Sequence, residues 1–196
     1  FKRTVRQAAM QHDIYATFMA KPYEAEPGSA MHIHQSVTDT RGRNLFSNKQ
    51  GKDTRLFLAY IAGLQRNLPA VMPMFAPYVN SYRRLVRFLS APINTHWGHE
   101  NRTVGLRIPE SGPSGRRVEN RVPGADANPY LALAATLACG FIGMRDNLSP
   151  TKAMEGNAYA STRFALPKHL LDAIAKFRAS SDLREVFGDA FVDLYS

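Results

Sequence analysis

The chain has 196 residues, 44% of them hydrophobic, with 25 Lys and Arg against 16 Asp and Glu for a formal charge of +9. That length and apolar content suffice for one domain with a real core and exclude a mainly disordered chain. The longest apolar run, Tyr130 to Met144, is too short and too interrupted by glycine to span a bilayer as a helix.

Residues 1–12 read as the end of a helix, without a starting Met or a signal peptide, as expected of a piece of a longer protein. Ile14 to Ala20 reads as a strand rich in β-formers. An acidic loop bearing Pro22, Pro27 and Gly28 leads to a second strand over residues 30–37 (AMHIHQSV). Residues 38–44 (TDTRGRN) form a turn that closes a hairpin onto Leu45 to Ser47. Helical periodicity over residues 53–68 predicts a helix capped by Asp53 or Thr54, and Pro69, Pro73 and Pro77 make the next stretch an irregular crossing. Residues 94–101 (NTHWGHEN) read as loop. Two strands, 102–109 (RTVGLRIP) and 116–123 (RRVENRVP), flank the loop ESGPSG. Asn128-Pro129 then pairs a capping side chain with a proline in the first helical turn. The helix it opens is apolar nearly all round and is expected to be central and buried. It holds the one cysteine, Cys139, which excludes an intrachain disulfide and reads as a small buried hydrophobe in a reducing compartment. Two amphipathic helices, near 168–180 and 183–195, complete one mixed α+β domain.

The positive charge is unevenly drawn. From Arg83 to Arg121 there are eight arginines, no lysine and three acids, Glu100, Glu110 and Glu119. Arginine alone suits planar recognition of carboxylate and phosphate, whereas a nucleic-acid surface would mix in lysine and interleave aromatics. The segment reads as a small-anion site. On a strand, Arg117, Glu119 and Arg121 share one face, and a carboxylate between two guanidiniums stays ionised and can bind a metal. A salt-bridged ladder on a solvent face is the plainer reading of that motif alone. Arg102 and Arg107, five apart, reach one site only if a turn falls between them, which Gly105 can supply. His32 and His34 alternate and so share a strand face. With His96 and His99 in a loop and no acid-and-His set nearby, zinc is disfavoured; an oxygen-rich Mg²⁺ or Mn²⁺ site with one imidazole fits better.

Four stretches in order, GSAMHIHQS, NSYRRL, NRTVGLRIP and RRVENRVPGADANPYLALAA, resemble the glutamine synthetase superfamily, in the C-terminal half of its catalytic domain. The resemblance implies an α+β fold with a curved, largely antiparallel sheet flanked by helices, and an ATP-dependent ligase that phosphorylates the γ-carboxylate of glutamate and forms a γ-amide. It implies that His32 and Glu119 are metal ligands, that Gly28, Arg84, Arg102 and Arg121 meet glutamate, with Arg102 also bridging the transferred phosphoryl group, and that His34, Ser36, Arg107 and Arg117 meet ATP. Mg²⁺ or Mn²⁺, a cytoplasmic location and a homo-oligomeric ring of the dodecamer type are implied by the same likeness. So are an N-terminal β-grasp domain and upstream metal-binding glutamates that lie outside these residues, which would leave 1–196 inactive alone.

Two departures bear on the acceptor. The family's Asn before the glutamate-binding glycine is Pro27, and the family's ammonium-binding Glu is Ser90. Ser90, Trp97 and the PGADANPY stretch are similar to the γ-glutamylpolyamine or γ-glutamylputrescine synthetase branch, where Trp97 could stack on an alkylammonium. Ammonia, ethanolamine or methylamine as acceptor and a catalytically silent structural member are the competing expectations; retention of the arginines, His32 and Glu119 argues against the silent one.

Overall fold

The computed structural model describes all 196 residues as a small sheet backed by helices. Four short strands, β1 (Ile33–Gln35), β2 (Trp97–His99), β3 (Leu106–Ile108) and β4 (Val118–Asn120), lie in the order β1-β4-β3-β2. β4 runs antiparallel to both neighbours, while β2 and β3 are parallel. Register does the functional sorting. Residues opposite one another share a face, so the row His34, Glu119, Arg107 crosses three strands on one side. The alternate residues Ile33, Leu106, Ile108 and Val118 turn the other way and are buried.

Behind that apolar face lie α2 (Arg55–Asn67) and α5 (Pro129–Arg145), the most extensive helix pair of the fold. Thr54 caps α2 by accepting from the Phe57 N–H at 3.2 Å. Asn128 caps α5 by accepting from Tyr130 N–H at 3.0 Å, with Pro129 in the first turn. The two helices meet backbone to backbone: a Cβ on Gly143 would strike the Ala59 carbonyl and stand 2.6 Å from the Gly63 Cα. Phe46, Phe57 and Tyr60 form an aromatic cluster in the core, with centroids 4.6 and 5.1 Å apart. Asn120 reaches back from β4 to Thr136 of α5 at 3.1 Å, which ties sheet to helix.

Four expectations change. Ile14 to Ala20 takes no regular secondary structure and joins no sheet; Ile14 and Tyr15 are exposed, and β-forming side chains cannot make a strand where no partner runs alongside. Trp97–His99 is a strand rather than loop, paired with β3 despite its polar composition. The proline-bearing crossing contains two single-turn helices, α3 (Met72–Phe75) with Pro73 in its first turn and α4 (Val79–Tyr82). Finally, α5 is buried on one side only. Its small residues Ala132, Ala135, Gly140 and Gly143 face α2, which leaves Tyr130, Leu133, Leu137 and Phe141 pointing outward. Composition could not tell which side would be covered.

The rest matches more closely. Residues 38–44 turn as expected, with Gly42 at φ +77° and a Val37–Leu45 backbone bond. α1 (Lys2–Met10) opens the chain, and α6 (Leu170–Ala179), α7 (Ser181–Phe187) and α8 (Asp189–Tyr195) close it. The last amphipathic stretch is two helices because Gly188 at φ +82° breaks it. Cys139 is fully buried, and burial pushes its thiol up in pKa. No helix is long and apolar enough to cross a membrane.

Candidate active site

The polar face of the sheet forms the floor of a cavity of about 610 Å³ lined by ten residues from five separate stretches. Glu119 is its centre. The carboxylate is 4% exposed and takes three donors: His32 Nδ1 at 2.9 Å and Arg121 Nη1 at 3.3 Å on Oε1, and Arg107 Nη1 at 2.9 Å on Oε2. Burial alone would push Glu119 up. The hydrogen bonds from His32 and Arg107, with the charge of Arg121, more than offset it and hold the group at about 2. It is therefore an anion at any neutral pH.

The second guanidinium beside Glu119 is thus Arg107 from the next strand, not Arg117 from its own. Register explains this, because Arg107 lies directly opposite Glu119 on the antiparallel partner. Arg107 also donates to Glu100 Oε2 at 2.8 Å, and these partners raise its pKa. Arg121 Nη2 donates to the Ser90 carbonyl at 3.4 Å. Burial lowers the Arg121 pKa, against the pull of Glu119. Arg102 enters from the turn before β3, so a turn does separate it from Arg107 and both line the cavity. Gly105 serves by close approach rather than by a bulge: a Cβ there would collide with the Asn94 carbonyl.

Six of the residues singled out in the sequence therefore converge: His32, Ser90, Arg102, Arg107, Glu119 and Arg121. His34, Ser36 and Arg117 stand outside the lining. His34 accepts from Arg117 Nε at 3.2 Å, and burial, countered by Glu119, leaves its pKa lowered. Arg117 is steadied by the Gly115 carbonyl at 3.1 Å. Gly28 and Arg84 form a separate contact, with a Cβ on Gly28 falling 2.5 Å from the Arg84 Cγ. Arg84 is 3% exposed and donates to the Val122 carbonyl; burial lowers its pKa to about 10 against the opposing charge of Asp126.

Trp97 is a correction. The residue is 6% exposed, its indole N–H donates to the Thr151 carbonyl at 2.7 Å, and it does not line the cavity, so it is a core residue away from the candidate site. His96 and His99 also part company: His96 is buried against Ser161 Oγ at 2.8 Å, and His99 pairs with Asp53 at 3.1 Å.

Phe88, Thr103, Asn157 and Tyr159 complete the lining. Sequence reasoning missed all four. Phe88 sits two residues before Ser90, which is a signal in hindsight, but Asn157 and Tyr159 belong to a stretch with no motif. Chemically, three guanidiniums and one anionic carboxylate leave the cavity cationic. It can bind a multiply charged anion, and His32 and Glu119 offer one nitrogen and one carboxylate to a hard divalent cation. No group of three or more His, Cys, Asp or Glu exists to hold a metal by itself.

Comparison with known proteins concerns the chain as a whole. The family model described as glutamine synthetase, catalytic domain, matches residues 1–196. Gamma-glutamylputrescine synthetase PuuA of Escherichia coli (strain K12) is 43% identical over 194 residues, covering 99% of this chain and 41% of that protein. Glutamate–isopropylamine ligase of Pseudomonas sp is 38% identical over 203 residues, covering 100% and 44% respectively. Glutamine synthetase of Pyrococcus woesei is 34% identical over 199 residues, covering 97% and 45%. A solved structure described as apo GmaS without ligand superposes with a TM-score of 0.87 at 32% identity, covering 100% of this chain and 47% of that one. The chain thus spans less than half the length of these relatives.

Proposed function

The chain belongs to the glutamine synthetase catalytic-domain family, and we propose that it is the C-terminal part of the catalytic domain of a glutamate–amine ligase. In the proposed reaction the γ-carboxylate oxygen of glutamate attacks the γ-phosphorus of ATP, releasing ADP. The amine nitrogen then attacks the acyl carbon, phosphate leaves, and the nitrogen loses a proton to give a γ-glutamyl amide. The acceptor we propose is a polyamine such as putrescine.

The observation that carries this is one cavity lined by three arginines, two of them holding an ionised carboxylate. Phosphoryl transfer between two anions needs fixed positive groups where negative charge develops. Arg102 is proposed to bridge glutamate and the transferred phosphoryl group, and its exposed position in the turn before β3 leaves its fork free to do so. Arg121 is proposed to hold glutamate, and Arg107 and Arg117 the nucleotide beside His34 and Ser36. For Gly28 and Arg84 the proposed glutamate role needs Arg84 to exchange its present bond to Val122. Ser90, whose neutral side chain lines the cavity, suits an amine larger than ammonium.

His32 and Glu119 fit one side of a Mg²⁺ or Mn²⁺ shell, an arrangement such ions accept when phosphate oxygens and water supply the remainder. The cation would offset charge on the phosphate oxygens. Arg107 and Arg121 keep Glu119 ionised and oriented for it. With two ligands only, the chain is proposed to depend on glutamates and a β-grasp domain elsewhere in the whole protein, to assemble as a homo-oligomeric ring, and to be inactive as 1–196 alone.

The test is ADP release by the full-length protein with glutamate and a panel of amines. Putrescine is expected to support turnover well above ammonium. Equal or better turnover with ammonium refutes the polyamine assignment, and no release with any amine refutes the ligase.

A further inference from the structure

The cavity lining divides by chemistry and by origin. The charged set, His32, Arg102, Arg107, Glu119 and Arg121, comes from the sheet and the segments leading into it. In the neutral set, Phe88, Ser90, Asn157 and Tyr159 come from two loops, and Thr103, beside Arg102 in the turn before β3, helps to hold them. Tyr159 O–H donates to the Ala91 carbonyl at 3.0 Å, which fastens the 157–159 turn to the 88–91 segment. Thr103 Oγ1 accepts from the Ala158 N–H at 2.9 Å. Phe88 and Tyr159, the two aromatic residues of the lining, lie 5.4 Å apart at an interplanar angle of 52°.

Phe88 is displayed against its own preferences. Its φ is +64° and that of Ser90 is +66°, left-handed values that are costly for a bulky side chain and that concentrate where a fold holds a residue for a purpose. A solvent-facing phenylalanine, 72% exposed, gains little from burial here to offset that strain. The backbone twist instead sets the ring beside Tyr159, and the Arg121 bond to the Ser90 carbonyl anchors the segment to the cavity floor.

We propose that Phe88, backed by Tyr159, which is itself only 6% exposed, forms the aromatic wall of the amine subsite and selects acceptors with an alkyl chain beyond the reacting nitrogen. The inference rests on the amide-forming reaction proposed above. An alkylammonium is repelled by the three guanidiniums, so it must be held by the neutral part of the lining. Ring faces attract an alkylammonium head and cover its methylenes, while ammonium itself offers no chain to cover. Aromatic stacking, expected in the sequence of Trp97, passes to residues that reach the cavity.

The test is steady-state kinetics of the full-length enzyme with n-butylamine, 1,4-diaminobutane and ammonium, wild type against Phe88→Ala. Because Phe88 is exposed, the variant is expected to fold. The KM for both alkylamines should rise about ten-fold, with the KM for glutamate shifting less than about two-fold. An unchanged alkylamine KM, or a glutamate KM that rises in step, overturns the proposal. If the wild type releases no ADP with any amine, the reaction is wrong, and calorimetric titration with n-butylammonium decides the subsite by itself. Saturable binding lost in Phe88→Ala retains the aromatic wall; no binding to the wild type overturns it as well.

Discussion

Replacing Glu119 by Gln changes no shape and one charge, and its cost can be worked from the contacts. The carboxylate accepts from His32, Arg107 and Arg121 through both oxygens. An amide must turn its NH₂ toward at least one of these donors and leaves two guanidiniums, 16% and 8% exposed, without their counter-charge. Breaking a buried pair costs about 3–5 kcal/mol, here reduced because Arg107 keeps Glu100 at 2.8 Å. The titration leads to a similar value. A carboxyl moved from 4.5 to about 2 on folding contributes roughly 3 kcal/mol at neutral pH. Because the folded value lies below the unfolded one, this stabilisation is complete above 4.5 and drains away as pH falls toward 2. Urea unfolding in chelator-containing buffer, tracked through the fluorescence of the one tryptophan, buried Trp97, measures it directly. Glu119→Gln should lose about 3 kcal/mol at pH 7 and progressively less in acid. A loss below about 1 kcal/mol at pH 7, typical of an exposed pair, or a loss that does not vary with pH, would refute the arrangement.

Two further outcomes test the scaffold. Burial, with the charge of Arg163 adding to it, pushes the His96 imidazole below its ordinary 6.5, so the unfolded chain takes up that proton first as the solution is acidified. Stability should then decline below about pH 6.5, and His96→Gln, which can still bond Ser161, should flatten the slope in pH-dependent melting; an identical slope would remove His96 as the cause. Gly143→Ala must part α2 from α5, and a loss of about 2 kcal/mol in urea unfolding is expected from overpacking against backbone. A gain of up to about 1 kcal/mol, the helix-propensity benefit of alanine over glycine, would show that the seam yields.

The parts of the fold that local chemistry decides were readable. Thr54 and Asn128 cap where their side chains predict, and Gly42 turns the hairpin. What depends on pairing was not. Residues 14–20 have the composition of a strand and no neighbour, whereas Trp97–His99 has the composition of a loop and a parallel partner. The same distinction runs through the site. His32, Glu119 and the arginines were found because charged residue types at these spacings are chemically conspicuous. That Arg107, and not Arg117, completes the clasp on Glu119 is a matter of register between strands, which one sequence does not display. Phe88 and Tyr159 escaped for a related reason: 71 positions apart, they become one surface only when two loops meet. Trp97 drew attention as the obvious aromatic, yet its indole N–H is spent on Thr151 inside the core.

The cavity wall is gathered from residues 32 to 159, and this has a bearing on biosynthesis. On a ribosome, Arg102, Arg107 and Arg121 emerge well before the turn that carries Tyr159, whose hydroxyl ties back to Ala91 across 68 positions. Leu166 then adds a backbone bond to Ile93, securing the same segment once more. Until that length has been released, the strands that carry Arg107 and Glu119 are complete, but the 88–91 segment lacks the turn that fastens it. A polypeptide halted near residue 150 would carry every charged residue of the lining but lack Asn157 and Tyr159, the part of the neutral wall that fastens the rest.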